Sequence, residues 1–107
     1  MTGEPQGCGA PAGGVAVTEN SSGEAIIEGT VSAAGAPVQV GYARLLDEGG
    51  EFVAEVPLGS DGGFRFFAAP GTWTLRVLAP GGARAEETVS ADRGHTTTVA
   101  VSVAAPR

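Results

Sequence analysis

Asp61-Gly62-Gly63-Phe64-Arg65-Phe66-Phe67-Ala68-Ala69-Pro70-Gly71-Thr72-Trp73-Thr74-Leu75-Arg76-Val77-Leu78-Ala79-Pro80-Gly81-Gly82 contains two short apolar runs, each opened and closed by turn residues. Proline fixes φ and glycine admits φ > 0, so the three Gly/Pro clusters read as chain reversals. Within the runs, Phe64 and Phe66 alternate with Arg65 and Phe67, and Trp73, Leu75 and Val77 alternate with Thr72, Thr74 and Arg76. A period of two marks half-buried strands, here over residues 64–67 and 72–78, joined as a hairpin. Three of the four Phe residues and the only Trp lie in this stretch, so the core is expected to be built around it.

The same alternation extends outward in both directions. Ile27, Gly29 and Val31 form one face of a first strand, with Glu28 and Thr30 opposite. A turn over 33–37 leads to a second strand, 38–46, with Gly41, Ala43 and Leu45 inward and Tyr42, Arg44 and Leu46 outward. Asp47-Glu48-Gly49-Gly50 reads as a hairpin loop into a third strand, with Phe52, Ala54 and Val56 inward. Residues 84–89 form a polar sixth strand suited to a sheet edge, where charge discourages pairing with other chains. The seventh, 95–103, points Thr97, Val99, Val101 and Val103 inward. Seven short strands without a helical pattern predict an all-β, seven-stranded antiparallel β-sandwich. Residues 1–24, rich in Gly, Pro, Ser and acids, are expected to be a flexible or loosely docked arm. The sandwich domain is then 25–104, with 105–107 as a tail.

Composition narrows the function. A chain of 107 residues suits one domain. A formal charge of −6, with the six cations scattered singly, argues against nucleic-acid and acidic-membrane partners. All six cations are Arg, so Schiff-base or general-base lysine chemistry is excluded. The single Cys cannot form an intrachain disulfide. No basic region followed by an apolar run opens the sequence, and no stretch approaches the ~18 apolar residues of a membrane span. A soluble cytoplasmic protein is expected.

Few residues carry chemistry. Cys8, in Gly7-Cys8-Gly9, is the one thiol a partner could reach, and sulfur transfer needs little more than an accessible thiolate. No Lys, Arg or His stands beside it, so an incidental thiol is the competing reading. His95 is the only His, and one Cys with one His falls short of a zinc ligand set, so neither metal nor cofactor is expected. Asp47, Glu48 and Glu51 surround Gly49-Gly50 without calcium-loop spacing and read as a solvated hairpin tip. No nucleophile elbow, triad or phosphate loop appears, which predicts a chain that is not an enzyme. The outward residues Tyr42, Arg44, Arg65, Phe67 and Arg76 remain. Aromatic and guanidinium groups are favoured at interfaces, so these five are candidate partner-binding residues; cross-strand Arg–Glu pairing is the alternative.

Three segments carry a resemblance: Gly29-Thr30-Val31, Asp61-Gly62-Gly63-Phe64-Arg65-Phe66 and Pro70-Gly71-Thr72-Trp73-Thr74-Leu75-Arg76-Val77. They are similar to the G-x-V, x-D-G-x-F-x-F and P-G-x-[YW]-x-L-x-V elements of carboxypeptidase regulatory-like (transthyretin-like, prealbumin-like) sandwiches. That likeness implies a binding or accessory role. A narrower resemblance rests on Gly41-Tyr42-Ala43-Arg44-Leu45-Leu46-Asp47, on Gly50-Glu51-Phe52-Val53-Ala54-Glu55-Val56 and on residues 64–76. These resemble the SseC-like proteins, a small uncharacterised actinobacterial family (domain of unknown function 1416). Their genes tend to accompany a thiosulfate sulfurtransferase (rhodanese). Cys8-Gly9-Ala10 resembles that family's Cys-Gly-Ala start, although here seven residues precede the Cys. The resemblance implies a non-catalytic accessory or adaptor domain of sulfur metabolism, partnering a thiosulfate sulfurtransferase. The alternatives are a sulfur carrier accepting sulfane sulfur on Cys8, or a carbohydrate-binding module using outward aromatics.

Overall fold

The computed structural model describes residues 15–103. It contains β1 (Val15–Glu19), β2 (Ile26–Ala33), β3 (Ala36–Pro37), β4 (Tyr42–Leu46), β5 (Phe52–Pro57), β6 (Gly63–Phe67), β7 (Gly71–Leu78), a 3-10 turn (Pro80–Gly82), β8 (Arg84–Ala91) and β9 (His95–Val103). The chain is all-β, two sheets enclosing one core. The five-stranded sheet runs β1-β9-β2, with β6 and β3 sharing the far side of β2. The four-stranded sheet runs β5-β4-β7-β8, so the polar strand β8 is an edge, as its charges predict. No helix among the described residues is long and apolar enough to cross a membrane.

Alternation assigns the inward faces well. Ile27, Val31, Phe64, Phe66, Thr97, Val99 and Val101 of one sheet are buried against Ala43, Leu45, Leu75, Val77 and Val89 of the other. Each large aliphatic or aromatic side chain so buried contributes about 1.5–3 kcal/mol relative to exposure. The 6.2 Å tilted contact of Phe64 with Phe66 lies within this layer. Gly29 permits it, because a Cβ there would run into the Val99 carbonyl and the Phe64 ring.

Pairing departs from expectation in two places. Residues 61–82 do not form a hairpin, because β6 pairs with β2 while β7 pairs with β4 and β8. The chain crosses from one sheet to the other at 68–70, which lets Phe64 and Phe66 face Leu75 and Val77 across the core. The Ala68 N–H donates to the Ala25 carbonyl on the first side, and the Trp73 indole N–H donates to the Ala69 carbonyl at 2.9 Å on the second. Pairing is also not wholly antiparallel: β2 and β9 run parallel from Ile26–Thr96 to Ala33–Val103.

The strands number nine among the described residues rather than seven. β1 lies inside the stretch read as an arm, and its backbone docks antiparallel on β9, from Val15–Val99 to Glu19–His95. Main-chain hydrogen bonding supports this segment although all five side chains are exposed, so its composition conceals it. β3 pairs with the end of β2 through a two-residue turn, Ala34-Gly35, with φ of 52° and 82°. Residues 38–41, read as the start of the second strand, precede β4 instead.

Phe52 is the clearest misplacement of a side chain. The pairing of β4 with β5 shifts between Leu45 and Leu46, so Leu45 opposes Ala54 while Leu46 opposes Phe52. Val53 is the extra residue of this bulge. A one-residue insertion reverses every side chain beyond it. Phe52 therefore leaves the core face and lies 60% exposed.

Candidate functional site

The outer face of the four-stranded sheet is ordered in rows across its strands. Pro57, Tyr42, Leu78 and Arg84 form one row; Glu55, Arg44, Arg76 and Glu86 the next; Phe52, Leu46, Thr74 and Thr88 the third. β4 supplies the middle of each row because Tyr42, Arg44 and Leu46 alternate with the inward Ala43 and Leu45. The charged row runs acid, base, base, acid. Arg44 Nε donates to Glu55 Oε2 at 2.5 Å, and Arg76 Nε donates to Glu86 Oε2 at 2.6 Å. The Arg44 guanidinium carbon also stands 6.0 Å from the centre of the Phe52 ring. Such a contact contributes about 0.5–1 kcal/mol at an exposed site.

Apolar side chains flank this charged row on both sides. Tyr42 is half-exposed, and Leu46 beside Phe52 is buried although it faces away from the core. Three of the six arginines, Arg44, Arg76 and Arg84, stand on these rows beside only two carboxylates, in a chain of formal charge −6. Aromatic groups with arginines on a solvent-facing sheet are suited to binding a partner rather than to catalysis.

The five outward residues read from the sequence divide between two faces. Tyr42, Arg44 and Arg76 meet on this one. Arg65 and Phe67 lie on β6, on the outer face of the other sheet. There Arg65 Nε donates to Glu28 Oε1 at 2.9 Å, and Phe67 lies opposite the buried Ile26. A groove of about 570 Å³ beside them is lined by Glu28, Thr30, Asp61, Arg65 and Thr98 over Gly29 and Phe64. Arg65 is the one cation in that lining, against Glu28 and Asp61, so the groove has no pair of arginines like that of the first face. Phe52 belongs to the first face and was concealed by the bulge, since nothing in the local alternation marks it.

The remaining candidates have structural employment or lie elsewhere. Asp47 Oδ1 accepts from the Gly49 and Glu51 N–H groups, both at 2.9 Å, so this carboxylate closes the β4–β5 hairpin. His95 opens β9 with Nδ1 3.2 Å from the Arg93 carbonyl oxygen. Among the described residues no group of three His, Cys, Asp or Glu side chains is gathered where it could hold a metal ion. Cys8 lies outside the described residues.

Residues 8–103 match the family described as "Protein of unknown function (DUF1416)". The chain belongs to this family. It is 50% identical over 60 residues to an uncharacterised protein of Mycolicibacterium smegmatis, covering 55% of this chain and 67% of that one. The uncharacterised Mycobacterium tuberculosis proteins Rv0814c and Rv3118 are each likewise 50% identical over 60 residues, covering 55% of this chain. The matched segment spans 60% of each of these two, less than two-thirds of their length. The expected uncharacterised actinobacterial family is thus shown.

Proposed function

We propose that this chain is a non-catalytic accessory domain that binds a protein partner through the outer face of its four-stranded sheet. The observation that carries the reading is the convergence of Tyr42, Phe52, Arg44 and Arg76 on that one exposed face. Following the resemblance to SseC-like proteins, the partner is a thiosulfate sulfurtransferase and the setting is cytoplasmic sulfur metabolism. The fold type is that of carboxypeptidase regulatory-like sandwiches; support comes from the three motif segments falling on β2, on the turn into β6 and β6 itself, and on β7. The test is a binding assay with purified sulfurtransferase. Wild type should bind, and Arg44→Glu with Arg76→Glu should weaken binding at least tenfold, as truncating hot-spot groups does. Equal binding of both proteins would refute the assignment of the face.

A second reading is a sulfur carrier with Cys8 as acceptor. It draws on the family match, which begins at residue 8. Treatment with thiosulfate and sulfurtransferase would then add one sulfur atom to wild type and none to Cys8→Ser, read by mass spectrometry.

A further inference from the structure

Resting on the docking face just proposed, we infer that its occupant is an extended, acidic segment of a protein partner. The segment places one Asp or Glu between Arg44 and Arg76, with apolar residues two positions before and after it. The charged row fixes the acid. Arg44 and Arg76 are directly opposite on β4 and β7, where like charges oppose one another. Among the described residues, the side-chain hydrogen bonds of both guanidiniums run through Nε, to Glu55 and Glu86. A carboxylate is the group that a guanidinium receives through paired donors, and one set between the two would relieve their repulsion.

The flanking glutamates fix the number of charges. They close the row on both outer strands, so the cationic strip is two strands wide, about 5 Å between neighbours. That width takes a single carboxylate and rejects a polyanion, whose next charges would meet Glu55 or Glu86. Nucleic acid is therefore the wrong class.

The apolar rows fix the spacing. Tyr42 and Leu78 lie two residues to one side of the arginines, and Leu46 and Phe52 lie in the next row on the other. Two residues along a strand cover about 7 Å, with both side chains on the same face. A segment laid along β4 and β7 thus matches the surface when its sequence reads apolar-x-acid-x-apolar. Sheets packed face to face keep their strands within about 30°, which this alignment needs. A second copy of this chain fits poorly, because a two-fold axis in the plane of the face and centred on the row sets arginine over arginine.

The test is photo-crosslinking of the full chain in the cells that make it, with Tyr42→p-benzoylphenylalanine as the probe position. Adducts should map to peptides with an acid flanked by apolar residues at the second position on each side. Arg44→Gln with Arg76→Gln should cut adduct yield at least tenfold. Glu55→Gln with Glu86→Gln should raise the yield of those same acid-containing adducts, which loss of the folded face would lower. Adducts on segments lacking that acid, or a yield unmoved by the arginine changes, overturn the acidic occupant while leaving the docking face standing. No adduct at all overturns both.

Discussion

Arg44 and Arg76 are cross-strand neighbours of like charge, and each is held by a glutamate on its outer side, Glu55 and Glu86. All four side chains are substantially exposed, so solvent screens the row and each pair contributes only about 0.2–1 kcal/mol. Replacing both glutamates by Gln should lower stability by about 1 kcal/mol at low salt, and added salt should recover most of the loss. Denaturant titration at two ionic strengths measures both; a loss indifferent to salt would mean packing rather than charge.

A Cβ on Gly29 would lie 1.9 Å from the Val99 carbonyl oxygen and 2.8 Å from the Phe64 ring. Gly29→Ala should therefore force strands β2 and β9 or the ring apart. The expected cost is about 3 kcal/mol, at the upper end for overpacking. The change in denaturation midpoint reads it, and a shift equivalent to less than 1 kcal/mol would show that the site relaxes freely.

Ala34 has φ of 52° and Gly35 φ of 82°, the pattern of a type I′ turn, yet alanine bears a Cβ that resists this region. Ala34→Asn or Ala34→Gly should stabilise the β2–β3 turn by about 0.5–1 kcal/mol. Thermal unfolding should shift upward by a few degrees.

Among the described residues Thr97 is the one buried polar side chain, and its hydroxyl donates to the Ser90 carbonyl on β8 at 2.7 Å. This bond ties β9 to the edge of the opposite sheet. Thr97→Val keeps the volume and removes this part-buried bond to the exposed Ser90, which should cost about 0.5–1.5 kcal/mol. Hydrogen exchange should quicken along β8 before it does in the centre of the five-stranded sheet.

Phe66 and Phe67 are adjacent in sequence and opposite in role, one 4% and the other 65% exposed. Phe66→Ala should cost about 3–5 kcal/mol and Phe67→Ala under about 1 kcal/mol. Comparable losses in the two variants would show that the outer pair of Phe67 with Ile26 matters as much as the core.

Local alternation was legible for most of the site. Tyr42 and Arg44 face outward because Ala43 between them and Leu45 after them face inward, as the alternation of a regular strand requires. Phe52 was not legible, since the bulge opposite Leu45 and Leu46 is a property of how two strands pair and leaves no mark within either. The separation of Arg65 and Phe67 from the arginine row was hidden for a related reason: it depends on which sheet each strand joins.

The amino-acid pattern by itself determined an all-β chain, most of its strands, the polar edge strand and the majority of the core residues. Each of these follows from the two-residue period of a pleated backbone and from turn chemistry. Only the tertiary structure decided that β6 and β7 part company, that β2 and β9 run parallel across more than sixty intervening residues, and that Phe52 joins Arg44 at the surface. Those outcomes turn on which strand edges meet, and backbone hydrogen bonds between edges are nearly blind to side-chain identity.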